Sequence, residues 1–141
     1  MIDIRVDVDV MRDLTRGTIL GQADVDRIIA VFRSPDFWQT SRIIWDYRAA
    51  SLSELGQENL TRIAAAVRET DRSRKTRALA FVVRSEDAGL LMKLYAEISH
   101  VKFNREVTYH ITTSADDALA WLDEHAPAEP LPKNGSDRRA C

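Results

Sequence analysis

A chain of 141 residues fits one domain, and 45% apolar with 30% charged residues is enough to fill a core and cover a wetted surface. With 20 Lys and Arg against 22 Asp and Glu the net charge is -2, which argues against the broad positive field that nucleic-acid binding needs. No apolar run reaches the roughly 18–20 residues that span a bilayer, and the lone cysteine, Cys141, has no companion for a disulfide or a metal site.

Ile2 to Val10 alternates strictly, with Ile2, Ile4, Val6, Val8 and Val10 on one side and Asp3, Arg5, Asp7 and Asp9 on the other. Period two with one wet face predicts an edge strand. These aspartates also lack the basic-then-apolar order of a signal peptide, so the chain is expected to be cytoplasmic. A charged turn at Arg12 and Asp13 leads into a hairpin partner, Leu14 to Leu20, which Gly21 is expected to break. Val25, Ile28, Ile29 and Phe32 then fall on one helical stripe, with Asp24 and Asp26 near its first turn and Ser34 and Pro35 at its end.

Arg42 to Tyr47 contains Ile43, Ile44 and Trp45 in succession, the pattern of a central strand covered on both faces. A helix marked by Leu60, Ile63, Ala64 and Val67 follows. Ala78 to Val83 reads as a second buried strand. After it come Ser85 as N-cap, Glu86 and Asp87 in the first turn, and a stripe of Leu91, Leu94, Tyr95 and Ile98. Val107, Tyr109 and Ile111 alternate with Thr108, His110 and Thr112 in a last strand near an edge. Ser114 and Asp117 stand at capping-box spacing before Ala115, Ala118, Leu119 and Leu122, with Trp121 and Leu122 turned to the sheet. The sum is an α/β domain over residues 1–125, with about five strands in a mixed sheet and four helices, in the order ββαβαβαβα. Residues 126–141, rich in proline and charge, are expected to be a disordered tail.

The hairpin start, the "IIWD" strand ending in Asp46, the "RALAFVV" strand, the "EDAGLLMKLY" helix and the closing "TSADDALAWL" together resemble the SpoIIAA-like branch of the STAS superfamily. That group shares features with CRAL-TRIO lipid-carrier domains. The resemblance implies a phosphorylatable serine in an Asp-Ser-Ser-Gly motif after the Asp-ended strand. Here the stretch reads Arg48, Ala49, Ala50, Ser51, Leu52, Ser53, Glu54, Leu55, Gly56, and the motif itself is absent. Ser51 and Ser53 are the displaced phosphosite candidates. The competing reading is that one of them caps the next helix, Ser51 with Glu54 at capping-box spacing.

Open α/β sheets bind ligands beyond the carboxyl ends of their strands, which is where Asp46, Arg48 and Arg84 are expected to converge. Asp46 there is either a base or ligand contact, or the partner of an arginine. Gly17 and Gly21 are read as flanking a strand and Gly56 and Gly89 as isolated, so no phosphate-cradling loop is present. His100, His110 and His125 are scattered without ligand spacing. The run Arg68, Arg72, Arg74, Lys75 and Arg77 is interrupted by Glu69 and Asp71 and reads as a solvated helix end. Phe37 and Trp38 either contact a partner or fold back onto the core.

No catalytic, cofactor or metal-ligating set emerges. The leading expectation is a non-enzymatic module acting through a protein partner at the loop carrying Asp46, Arg48, Ser51, Ser53 and Arg84. The alternative is a carrier of an apolar ligand or lipid, suggested by Leu90, Leu91, Met92 and Leu94. Third is an enzyme using Asp46, for which one carboxylate without a positioned partner is weak acid–base support. A homodimer is among the expected assemblies.

Overall fold

The structure, a computed structural model, describes residues 3–22, 24–52, 55–69, 77–103 and 107–127. Ile2, Ser53, Glu54, the Arg72, Arg74 and Lys75 portion of the basic run, and the tail from 128 to Cys141 lie outside the described residues.

Strands β1 (Asp3–Asp9) and β2 (Leu14–Gln22) pair antiparallel, from Asp3 opposite Leu20 to Asp9 opposite Leu14. In the turn between them the Asp13 N–H donates to the Val10 carbonyl at 3.1 Å. Asp13 takes a φ of 55°, a left-handed conformation that aspartate tolerates better than most residues. Then follow α1 (Val25–Arg33), a 3-10 turn (Pro35–Trp38), β3 (Arg42–Asp46), β4 (Ala50–Ser51), α2 (Gln57–Arg68), β5 (Ala78–Val82), α3 (Glu86–Phe103), β6 (Thr108–Thr112) and α4 (Ala115–His125). The sheet runs β1-β2-β3-β5-β6, with every pairing after the hairpin parallel. The expected α/β class, hairpin and four helices are present. The strand beyond the expected five is β4, which pairs parallel with the end of β2.

Each crossover from β2 to β6 steps to the neighbouring strand. Repeating a right-handed crossover in one direction keeps α1, α2 and α3 on one face, where α2 packs between the other two. The fourth helix lies on the opposite face, against β3, β5 and β6. Because strand side chains alternate, the sheet divides into two cores. Ile19, Ile43, Trp45, Leu79 and Phe81 point to the three-helix face, whereas Leu14, Ile44, Ala80 and Val82 meet Ala118 and Leu122 of α4.

Aromatic rings fill the larger core. Phe37, Phe32, Trp45, Tyr47, Phe81 and Tyr109 form a chain with successive centroids 5.3 to 6.0 Å apart. Of the two readings of Phe37 and Trp38, the structure shows folding back: both are buried, and Trp38 Nε1 donates to the Phe32 carbonyl at 2.6 Å. Trp45 lies opposite Gly17, and its ring occupies the space that a Cβ on Gly17 would take. Gly17 is therefore inside β2, not flanking it, because only a residue without a side chain admits this ring. Gly21 does not break the strand either. Its φ of 86° bends β2, which continues to Gln22 beside β4.

The caps form largely as the sequence indicates. Asp24 accepts from the Asp26 and Arg27 N–H groups, and Ser85 Oγ accepts from the Ala88 N–H at 3.3 Å. Ser114 Oγ accepts from the Asp117 N–H at 3.2 Å, but the reciprocal half of that box is missing. The Asp117 carboxylate instead meets His110 Nε2 at 2.9 Å, while the Ser114 N–H donates to Thr112 Oγ1. The hydrogen bond from His110, with a second from the Thr112 hydroxyl, holds the Asp117 carboxyl below its usual range.

At the amino ends of the parallel strands lies a buried polar cluster that links the hairpin to α4. The Ser41 N–H donates to Asp13 Oδ1 at 2.7 Å, and the Ser41 hydroxyl donates to Asp13 Oδ2. Arg42 donates to the carbonyls of Arg12 at 3.0 Å and Asp13 at 3.3 Å, and pairs with Asp123 of α4 at 2.8 Å. Packing continues past α4: Ala126 is buried in the smaller core, and the Pro127 carbonyl accepts from Arg77 at 3.1 Å.

Candidate functional site

The carboxyl ends of the strands carry an irregularity that the sequence does not announce. Thr18 of β2 stands opposite Asp46 of β3, and Gly21 opposite Ala50 of β4. The chain thus takes three steps along β2 while its partner takes four from Asp46 to Ala50, which is a one-residue bulge. Bulges bend a strand and re-aim its side chains. The Tyr47 N–H stays with the sheet, donating to the Val82 carbonyl at 2.8 Å, and the Gly21 N–H reaches the Ala49 carbonyl at 3.1 Å. Tyr47 turns inward and is buried, its hydroxyl accepting from Trp45 Nε1. Burial pushes the Tyr47 phenol well above its usual value and nearby Tyr95 adds to this, with the Trp45 hydrogen bond acting the other way.

Arg48 turns outward and folds back on Asp46. Its backbone N–H donates to Asp46 Oδ1 at 2.9 Å, its Nε to the same oxygen at 3.1 Å, and its Nη2 to Oδ2 at 2.8 Å. Burial alone pushes the Asp46 carboxyl up. The hydrogen bonds and charge of Arg48, with Arg16 in support, outweigh it and hold the group below the ordinary aspartate value. An anion so engaged is suited to fixing the shape of the loop and poorly suited to accepting a proton.

Of the residues expected to converge here, Asp46 and Arg48 meet and Arg84 does not. Arg84 is exposed just past β5, and among the described residues it has neither a hydrogen bond nor an ion pair. Ser51 is exposed but belongs to β4, opposite Gln22. The helix that follows begins at Gln57 with Gly56 as its N-cap and no side-chain cap bond, so the reading of Ser51 as a cap is corrected. Ser53, the other phosphosite candidate, is outside the described residues.

A groove of about 280 Å³ opens between the first turns of α3 and the end of β6, lined by Val83, Ser85, Gly89, Leu90, Ile111 and Thr113 among others. Of the four apolar residues that suggested a carrier, only Leu90 lines it, 61% exposed. Met92 is buried, and Leu91 and Leu94 pack against the larger core. From the basic run, Arg77 reaches Ser41 Oγ at 3.3 Å as well as Pro127, and Arg68 ends α2. His110 stacks on Trp121 at 4.9 Å, and Trp121 on His125 at 5.2 Å. His100 meets Tyr109 edge-on at 5.5 Å. Among the described residues no three His, Cys, Asp or Glu side chains gather to hold a metal ion, and no helix is long and apolar enough to cross a membrane.

Sequence reasoning missed Arg16, Tyr47 and the Asp13–Ser41–Arg42 cluster. Arg16 had a usable signal, since Arg16 and Thr18 alternate with Gly17 and Ile19 and so share the Asp46 side of the sheet. Compared with models of known families and with proteins of described function, the chain matches none, so the site rests on its own geometry.

Proposed function

We propose that the chain is a non-enzymatic interaction module of the SpoIIAA-like STAS kind, which contacts a protein partner through the loop leaving β3. The observation that carries this reading is the bulge. It sets Arg48, Ala49 and Ser51 at the surface, in the stretch after the Asp-ended strand where the resemblance implies a phosphorylatable serine, with Ser51 in β4 and not at the start of α2. The Asp46–Arg48 pair holds the loop in one shape before any partner arrives, and a preordered surface loses less conformational freedom on binding. A phosphate on Ser51 would add about -1.5 to -2 charges to a loop whose outward cation is Arg48. Its effect would run through that local charge and not through a helix dipole, since α2 starts at Gln57.

The test compares partners captured by the wild type, Arg48→Ala and Ser51→Asp, each checked by circular dichroism for an intact fold. The expected result is a wild-type partner that both variants lose. Identical partner sets would overturn the reading. If native mass spectrometry of the purified wild type also showed an apolar molecule, the carrier reading would take over, with the groove beside Leu90 as its first candidate location.

A further inference from the structure

The outer edge of β1 is a strand edge with no neighbour in the sheet among the described residues. Such an edge is a template for another strand, and proteins usually blunt it with proline, a bulge, short length or inward-pointing charge. β1 pairs with β2 at every residue from Asp3 to Asp9 and carries no proline, glycine, bulge or inward-pointing charge; its charges stand on the wet face, and the 3-10 turn packs against it. On the three-helix face it presents Ile4, Val6 and Val8, and Val6 remains 41% exposed. On the other face it presents Arg5 and Asp7.

These two rows are complementary to themselves. With two copies set antiparallel about Val6, Val6 faces its counterpart, Ile4 faces Val8 of the second copy, and Arg5 faces Asp7 of the second copy on both sides of the axis. Apolar and opposite-charge pairs at directly opposed positions are the ones that stabilise an antiparallel ladder. Moving the axis by one residue sets Arg5 against Arg5 or Asp7 against Asp7. A register between these sets the apolar row of one copy against the charged row of the other. In the Val6-centred register the like-charge match is position 3 with position 9, at the two ends of the paired strand. We propose that β1 is the docking surface for a second copy of this chain, joining two sheets edge to edge through a two-fold axis at Val6. Such an interface is isologous and uses up both β1 edges, leaving the two β6 edges at the ends of the joined sheet. It does not depend on the β3 loop, so Arg48→Ala is expected to leave it intact.

Sedimentation and light scattering on the full chain test this directly, with an expected mass near twice 16.0 kDa. Val6→Lys brings two cations together at the axis. It is expected to weaken the dimer at least about tenfold in Kd while the circular dichroism spectrum stays unchanged. The register is read separately in a Cys141→Ser background. Val6→Cys should form a covalent dimer on mild oxidation, because directly opposed Cβ atoms lie about 4.5–5.5 Å apart. Arg5→Cys, which faces position 7 of the second copy, should not. A monomeric wild type, a dimer that folded Val6→Lys leaves intact, or failure of Val6→Cys to cross-link would each overturn the proposal. If Val6→Lys does not fold, the cross-linking pair decides.

Discussion

Gly17→Ala adds one methyl group and is expected to destabilise the domain by about 2–3 kcal/mol. The added Cβ would overlap Cζ3 and Cε3 on the edge of the Trp45 six-membered ring, which stands opposite in the β2–β3 register and is fully buried. That ring has no direction in which to retreat. Phe32 and Phe37 lie 5.4 Å from it on centroids and Tyr47 5.8 Å, and the Trp45 Nε1–Tyr47 hydroxyl bond pins its far end. Overpacking costs about 1–3 kcal/mol where neighbours partly yield, so a rigid ring hemmed by rings belongs at the upper end. Replacing glycine also restricts the unfolded chain, which returns about 0.4–1 kcal/mol and does not reverse the sign. For a domain of this size the loss corresponds to a Tm lower by roughly 10 °C. Urea unfolding followed by circular dichroism should show a lower midpoint with an unchanged slope. Combining Gly17→Ala with Trp45→Leu, which removes the obstructing ring, should recover much of the glycine penalty as a coupling of about 2 kcal/mol. A neutral Gly17→Ala, or strict additivity in the double variant, would refute this account of the core.

The smaller core gives a simpler test: Leu122 is fully buried under α4, so Leu122→Ala should cost about 2–5 kcal/mol in the same unfolding assay. At the amino edge the two partners of one ion pair should differ, because the Arg42 side chain is 5% exposed and that of Asp123 72%. Arg42→Ala strands the carbonyls of Arg12 and Asp13 and should cost roughly 3 kcal/mol, whereas Asp123→Ala should cost less than about 1 kcal/mol. Equal effects would mean that the exposed pair, not the carbonyl bonds, holds Arg42. For Asp46 the folded carboxyl is held below its unfolded value, so its contribution is complete above the ordinary aspartate pKa of about 3.9 and is lost as the pH falls through the lower folded value. Thermal melts of Asp46→Asn and wild type should therefore differ most near neutral pH and converge in acid. A gap independent of pH would assign the effect to packing.

What was legible in the sequence followed from periodicity. Alternation in β1 and β6 marked the edges, the uninterrupted apolar runs of β3 and β5 marked the centre, and the helical stripes gave α1 and α4 nearly to the residue and α2 without its start. The illegible parts depend on long-range partners. Gly17 looks like a strand boundary until Trp45 is set opposite it, and nothing local to either residue announces the pairing. The bulge after Asp46 is visible only as a mismatch between two registers on β2, so Ser51 seemed to stand at a helix start that lies beyond Gly56. Asp117 looked like half of a capping box because spacing cannot show that His110, on the neighbouring strand, competes for it.

The unequal covering of the sheet explains why recognition is assigned to the β3 loop and the β1 edge. Three helices close one face, whereas among the described residues α4 covers the other, over β3, β5, β6 and the Leu14 end of β2. The strip left beside it, over β1 and β2, carries Arg5, Asp7, Arg16 and Thr18, with Asp46 at its margin. Residues of that kind can face water without an apolar lid. Wet on that face and packed on the other, the hairpin can gain buried area chiefly along its free edge, where Val6 is half exposed and the charges complement their own copies. The bulge acts at the far margin of the same strip, lifting Arg48 off the sheet plane while Asp46 keeps it in place. Arg48→Ala and Val6→Lys should therefore separate the two surfaces, the first altering partner capture in a dimer and the second leaving a folded monomer whose loop is unchanged.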